Sequence, residues 1–161
     1  MQFKNKKWTL LILCIILADQ LVKGIVVKNL SGFDSVTAIP HILNFIYVEN
    51  TGAAFSILSE KTAVLSIISV LFCIAVIAYW LIKKPQSEML KLSLSLLLAG
   101  AVGNAIDRIA RGFVVDFIEL SFIRFPVFNI ADISITFGTV LLMIYLLFFD
   151  KDGRKNGENS N

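Results

Sequence analysis

The chain has 161 residues, of which 57% are hydrophobic and only 17% charged, with a net charge of +3 and a mean hydropathy of +0.78. A water-soluble domain of this length does not use so much apolar sequence. The small positive charge sits at the flanks of apolar blocks, which argues against nucleic-acid binding.

A helix needs about 20 mostly apolar residues to cross the hydrocarbon core. Four blocks qualify, Trp8–Val27, Thr62–Ile82, Leu90–Ile109 and Ile130–Phe149. They predict four transmembrane helices in one α-helical membrane domain, residues 1–150, with no internal repeat. The first block has the basic start and apolar core of a secretory signal. However, Ile16 and Ala18 ahead of Asp19 do not form a small-x-small cleavage site, and Cys14 follows Leu13 rather than the small residue that precedes a lipidated cysteine. An uncleaved first span is expected. Cys14 and Cys73 both fall within spans, in no disulfide or metal spacing, and are expected to pack as small hydrophobes.

Between spans one and two, SVTAIPHILNFIYVENTGAAFSIL is rich in β-branched and aromatic residues and is punctuated by Pro40, Asn44, Asn50 and Gly52. This predicts a small extracytoplasmic β-rich element on the membrane surface. NTGAAF at its end reads as a turn followed by a short apolar element that dips into the bilayer. The stretch from Phe113 to Phe128 predicts a further strand or short helix, with Phe122, Phe125 and Phe128 as interfacial anchors. After span four, the polar DKDGRKNGENSN predicts a disordered tail over 151–161.

Lys and Arg set the orientation. Lys4, Lys6 and Lys7 precede span one, Lys83, Lys84 and Lys91 surround the turn between spans two and three, and Lys151, Arg154 and Lys155 follow span four. Residues 30–60 contain neither Lys nor Arg. Both termini are therefore expected in the cytoplasm and the two longer connections outside.

Polar residues inside apolar spans are functional candidates by default. Asp19 and Lys23, four apart, share a helix face; a neutralising pair and a direct part in an active site both remain open. Gly100, Gly103, Asn104, Asp107 and Arg108 form one stripe on span three, its glycines permitting close helix approach. Asn129, Asp132, Thr136 and Thr139 share a face of span four. A helix cap would explain Asn129, but not Asp132, nor Asp116 in FVVDFIEL. All these groups fall at the outer membrane boundary.

That convergence points to a site, and exclusion narrows its chemistry. HExxH is absent, as is GxSxG, and the single histidine, His41, lies in the outer loop, so zinc-peptidase and Ser-His-Asp chemistries are not expected. A Ser-Lys arrangement using Lys23 lacks an obvious serine. Two carboxylates held together in a low-dielectric site share one proton, so that one serves as base and the other as acid. Such a pair attacks an amide with water and needs neither a cofactor nor a metal. Asp116 with Asp132 is the best pair. Asp107 is an alternative, although Arg108 and Lys23 offer it structural partners.

DQLVK (19–23), NTGAAF (50–55), GAVGNAIDR (100–108), VVDF (114–117) and FNIAD (128–132) resemble, in order and spacing, the motifs of the bacterial type II, or lipoprotein, signal peptidases. The resemblance spans all four predicted helices. It implies an aspartic endopeptidase of the bacterial cytoplasmic membrane that removes signal peptides from diacylglyceryl-modified prolipoproteins, cutting before the lipidated cysteine. It implies that Asp116 and Asp132 are catalytic, and that Asp19, Lys23, Asn50, Gly52, Asn104, Asp107, Arg108 and Asn129 bind substrate or shape the site. Membrane lipids and globomycin-type inhibitors are implied partners, and a monomer is expected. A proton-coupled transporter would also bury Asp, Asn and Lys, but would thread them through the bilayer. A structural membrane protein would not need two carboxylates at one depth.

Overall fold

The protein is described by a computed structural model covering residues 3–32, 35–52 and 61–149. The chain order is α1 (Phe3–Leu30), β1 (Val36–Ile39), β2 (Leu43–Asn50), α2 (Thr62–Lys83), α3 (Glu88–Arg111), β3 (Val114–Leu120) and α4 (Ile130–Phe148). The 53–55 part of NTGAAF and the tail at 151–161 lie outside the described residues.

Each apolar block is a helix long and apolar enough to cross a membrane. The most central is α3, with 67% of its apolar stretch buried against 17% in each of the other three. Its buried surface is rich in small residues, among them Ser93, Ser95, Ala99, Gly100, Ala101, Gly103 and Ala105, the type that lets helix backbones approach closely where lipid removes the hydrophobic incentive to associate. A Cβ on Gly100 would lie 2.3 Å from the Ala131 carbonyl oxygen, and one on Gly138 would lie 2.9 Å from the Leu97 backbone nitrogen. Ser134 Oγ adds a hydrogen bond to the Leu96 carbonyl across the same seam, at 2.8 Å.

On α1 the usual polarity is reversed. Leu10, Leu13, Leu17, Leu21 and Ile25 are exposed, while Asp19, Lys23 and Val26 are buried. This is the pattern of a lipid-facing helix that turns its charges inward. Cys73 is half-buried, whereas Cys14 is exposed. It lies on the apolar outer surface of α1, where a small thiol needs no partner.

The β-rich element is a three-stranded antiparallel sheet in the order β1-β2-β3. Its first two strands come from the segment between α1 and α2, and the third from the segment between α3 and α4. Gly112, at φ +84°, ends α3 in the left-handed conformation and reverses the chain into β3. Val115 and Phe117 point from β3 into a core with Val26 of α1, against which Phe45, Tyr47 and Ile130 pack. The sheet is thereby fixed to one end of the bundle. Phe122 and Phe125 are exposed, as interfacial anchors would be. Phe128 instead bonds through its backbone to Phe117 and Ile118 and extends the sheet edge.

Candidate active site

The start of α4 carries Asn129 and Asp132. Asn129 is the N-cap. Its Oδ1 accepts the Asp132 N–H at 2.9 Å, and Asp132 Oδ2 accepts the Asn129 N–H at 3.1 Å. This capping box satisfies backbone donors that a helix start leaves unpaired. A third donor, the Ala131 N–H, reaches Asp19 Oδ1 on α1 at 3.0 Å. Asp132 is thus locked in the first turn by its own helix, and Gly100 allows that turn to lie against α3.

The second carboxylate comes from the sheet. Alternation along β3 turns Val115 and Phe117 to the core and Val114 and Asp116 to a cavity. The β2–β3 register shifts between Phe45 and Val48, and the Phe117 N–H turns away from β2 to the Phe128 carbonyl at 3.0 Å. Such bulges re-aim neighbouring side chains; Val48 here stands opposite Asp116 and Asn50 opposite Val114. Asp107 Oδ2 accepts the Val115 N–H at 3.2 Å, which pins β3 to α3 beside Asp116.

Three asparagines bind the pair together. Asn129 Nδ2 donates to Asp116 Oδ1 at 2.6 Å, Asn50 Nδ2 to Asp116 Oδ2 at 2.8 Å, and Asn104 Nδ2 to Asp132 Oδ1 at 2.8 Å. The far end of each amide fixes its orientation. Asn129 Oδ1 accepts the Asp132 N–H, Asn50 Oδ1 accepts the Gly52 N–H at 2.9 Å, and Asn104 Oδ1 accepts from Lys23 Nζ at 3.1 Å. All four oxygens of Asp116 and Asp132 therefore face an oriented donor.

Beneath this pair lies an ion network. Lys23 Nζ is 2.8 Å from Asp19 Oδ2 and 2.9 Å from Asp107 Oδ2, and all three side chains are buried. Arg111 Nε approaches Asp107 Oδ1 at 3.5 Å. Arg108 makes no ion pair with Asp107 and is not the partner that the sequence suggested. Residues adjacent on a helix do not face each other, whereas residues four apart do, so the partner is Arg111. Gln20, inside the DQLVK motif, also went unrecognised; its Nε2 donates to the Gly103 carbonyl at 3.1 Å and to Asp19 Oδ2 at 3.2 Å. Spacing held the Arg111 signal, since Asp107–Arg111 and Asp19–Lys23 share the same interval; it held none for Gln20, whose partner Gly103 lies on another helix.

Asp116 and Asp132 open into a cavity of about 870 Å³. Its polar wall includes Glu49, Asn50, Gly52, Asn104 and Arg108, and its apolar wall Leu120, Phe125, Phe128, Ile133, Ile135 and Phe137. Arg108 Nη2 donates to the Gly52 carbonyl at 3.3 Å, while its buried Nε has no hydrogen-bond partner among the described residues. Thr136 lines the cavity, but its hydroxyl, like that of Thr139, bonds to its own helix. At the rim, Tyr47 donates to Glu49 Oε1 at 2.7 Å; burial, then that bond, raises the Tyr47 pKa to about 12. Burial, then the neighbouring charge of Asp132, pushes the Asp116 carboxyl up to about 6. His41, in the β1–β2 turn at φ +62°, does not line the cavity. Among the described residues, no group of three or more His, Cys, Asp or Glu side chains could hold a metal ion.

Fold and site together define a four-helix membrane protein with two carboxylates facing one cavity at one end of its bundle. The chain belongs to the signal peptidase II family, whose description, Signal peptidase (SPase) II, matches residues 11–148, and it is therefore a multi-pass bacterial membrane peptidase. It is 40% identical over 149 residues to the lipoprotein signal peptidase of Lactobacillus johnsonii, covering 92% of this chain and 96% of that one. It is 42% identical over 142 residues to that of Streptococcus thermophilus, covering 88% and 92%. It is also similar to a bacterial membrane enzyme solved by the in meso method at 2.3 Å, with a TM-score of 0.84 and 36% identity over 97% of this chain and 92% of that one. A second such enzyme, at 1.9 Å, gives a TM-score of 0.81 and 38% identity over 89% and 94%.

Proposed function

We propose that this protein removes signal peptides from diacylglyceryl-modified bacterial prolipoproteins, cutting before the lipidated cysteine, with Asp116 and Asp132 as an aspartic dyad. One observation carries the reading: carboxylates from a strand and a helix, brought to one cavity, are both bound by Asn129. A capping residue alone would not require the second contact.

Charge supports a shared proton. Leaving aside Glu49, which is exposed to water at the rim, four carboxylates (Asp19, Asp107, Asp116 and Asp132) meet three cations (Lys23, Arg108 and Arg111) at this end of the bundle. A buried charge without a counter-charge is costly, and one proton on the dyad makes the set neutral. The roles then divide. Asp116 and Asp132 activate water and protonate the peptide. Asn50, Asn104 and Asn129 aim the dyad. Asp19, Lys23 and Asp107 hold α1, α3, β3 and α4 in register. Arg108, with its unpartnered donor, and the Gly52 backbone offer contacts to the substrate main chain.

The lipid fits the other wall. Ile133, Ile135 and Phe137 continue the cavity along the outer turns of α4, and Phe137 is 62% exposed, so acyl chains can lie there while the peptide reaches the carboxylates. With the Lys- and Arg-rich ends in the cytoplasm, this end of the bundle faces outward, where a lipid-modified precursor presents its scissile bond. Globomycin is expected to compete for the same cavity. The proposed peptidase is a monomer. The test is cleavage of a diacylglyceryl-modified precursor by the purified protein, beside the same precursor without its lipid. Equal cleavage of both would remove the lipid from the reading, and cleavage of neither would remove the function.

A further inference from the structure

The two dyad carboxylates have different surroundings, and the difference assigns their roles. Asp132 stands in the first turn of α4 and accepts the Asn129 backbone N–H within the capping box. The N-terminal end of a helix carries partial positive charge and favours a carboxylate. The side-chain donor to Asp132 is polarised in the same sense. Lys23 Nζ donates to Asn104 Oδ1 at 3.1 Å, and Asn104 Nδ2 donates to Asp132 Oδ1 at 2.8 Å. Successive bonds of this kind strengthen one another, so the ammonium charge is relayed through the amide to Asp132.

Asp116 feels the helix end only at second hand, through Asn129, and has no donor held by Lys23. It sits on a strand, which has no comparable dipole, and is 2% exposed. Neither of its donors is held by a cation. Asn50 takes its orientation from the Gly52 N–H, and Asn129 from the Asp132 N–H. We infer that the shared proton rests on Asp116 and that Asp132 is the ionised member, so Asp132 takes the proton of the attacking water and Asp116 protonates the scissile carbonyl. This deepens the dyad reading above and rests on it.

The step balances. Asp132 removes a proton from water as its oxygen bonds to the carbonyl carbon, and the Asp116 proton passes to the carbonyl oxygen to give a neutral diol. Asp132 then gives its proton to the leaving nitrogen as the C–N bond breaks. Asp116 recovers one from a diol hydroxyl. The products are a carboxylic acid and the free amine of the lipidated residue, and the dyad returns to its starting state.

The assignment has a consequence for stability. The Asp116 carboxyl is raised from 3.8 to about 6. A group whose folded pKa is raised contributes stability that is fully present below its unfolded pKa and is lost as pH rises through its folded value. The window is therefore about pH 4 to 7. The charged groups around Asp116 and Asp132 are Asp19 and Lys23 on α1, Glu49 on β2 and Arg108 on α3, with Asp107 and Arg111 of α3 behind them, so the test compares variants with wild type and not with a reference curve.

The experiment is infrared difference spectroscopy of the purified full chain, alongside melting measured across pH 4 to 8, on wild type, D116N and D132N. Wild type should show a protonated-carboxyl band that bleaches as pH rises through about 6. D116N should lose the band and the matching fall in Tm. D132N should keep both, with a lower midpoint, because it removes the neighbouring negative charge while leaving the burial. Loss of the band in D132N alone would reverse the assignment. A band that survives in both variants would mean that neither carboxyl is preferred, and would also overturn it. Cleavage assays on the same samples separate this outcome from failure of the dyad itself. If either variant cleaves normally, the dyad falls; if both are inactive but the band assignment is reversed, only the role assignment falls.

Discussion

Asn129 donates to Asp116 at 2.6 Å while its own Oδ1 caps α4 by accepting the Asp132 N–H at 2.9 Å. One amide therefore sets the helix start and the relative placement of the two carboxylates. Asn129→Ala should cost about 0.5–2 kcal/mol through the lost cap and should lower kcat far more than it changes KM. Asn129→Ser separates the two roles, because a serine caps but does not reach Asp116. It should melt close to wild type and remain impaired in cleavage. Recovery of both properties in the serine variant would reduce Asn129 to a cap.

Asp116→Asn and Asp132→Asn should each lower cleavage of a lipidated precursor by at least about 10²–10⁴-fold, the usual cost of losing a general acid or base. Inactive variants that still melt cooperatively would tie the loss to chemistry. A variant with near-wild-type turnover would exclude that residue from the dyad.

Asp107 separates support from catalysis. It accepts from Lys23 at 2.9 Å and faces Arg111 at 3.5 Å, and it holds the Val115 N–H. Removing one partner of a buried pair leaves the other uncompensated, at about 3–5 kcal/mol, so Asp107→Ala should lower Tm together with activity. Arg108→Ala, which empties part of the cavity wall without breaking a close ion pair, should raise KM and lower Tm less than Asp107→Ala does. Paired melting and kinetics on both variants decide the point, and equal melting of the two would contradict the network.

Gly100→Ala tests the close approach of α3 and α4. The new methyl would meet the Ala131 carbonyl at 2.3 Å, and overpacking of this kind typically costs about 1–3 kcal/mol. Because the displaced turn carries Asp132, cleavage should fall as well. Gly24→Ala, where a Cβ meets nothing within 4 Å, is the control and should leave both properties unchanged.

Orientation has its own test. In a background lacking Cys14 and Cys73, a cysteine at Ser35 should react with a membrane-impermeant thiol reagent on whole cells, and one at Gln86 only after the membrane is opened. The reverse labelling would put the cavity on the cytoplasmic side, where a translocated precursor does not present its cleavage site.

Four spans, and a sheet lying outside them, were legible in the chain because hydrophobic block length and β-branched composition are local properties of sequence. The candidate residues were legible for a related reason: a carboxylate or asparagine inside an apolar block is costly, so its presence signals use. Interval also carries information on a helix, which is why Asp19 and Lys23 could be paired from spacing alone. What spacing does not hold is direction between elements. Only the packed chain brings Gln20 to the Gly103 carbonyl, carries the Ala131 N–H to Asp19 across 112 positions, and turns Asp116 toward the cavity at the end of a shifted register. Those outcomes depend on how closely α4 approaches Gly100 and on where β3 leaves Gly112. Both are contacts between residues far apart in the chain, and no local pattern encodes them.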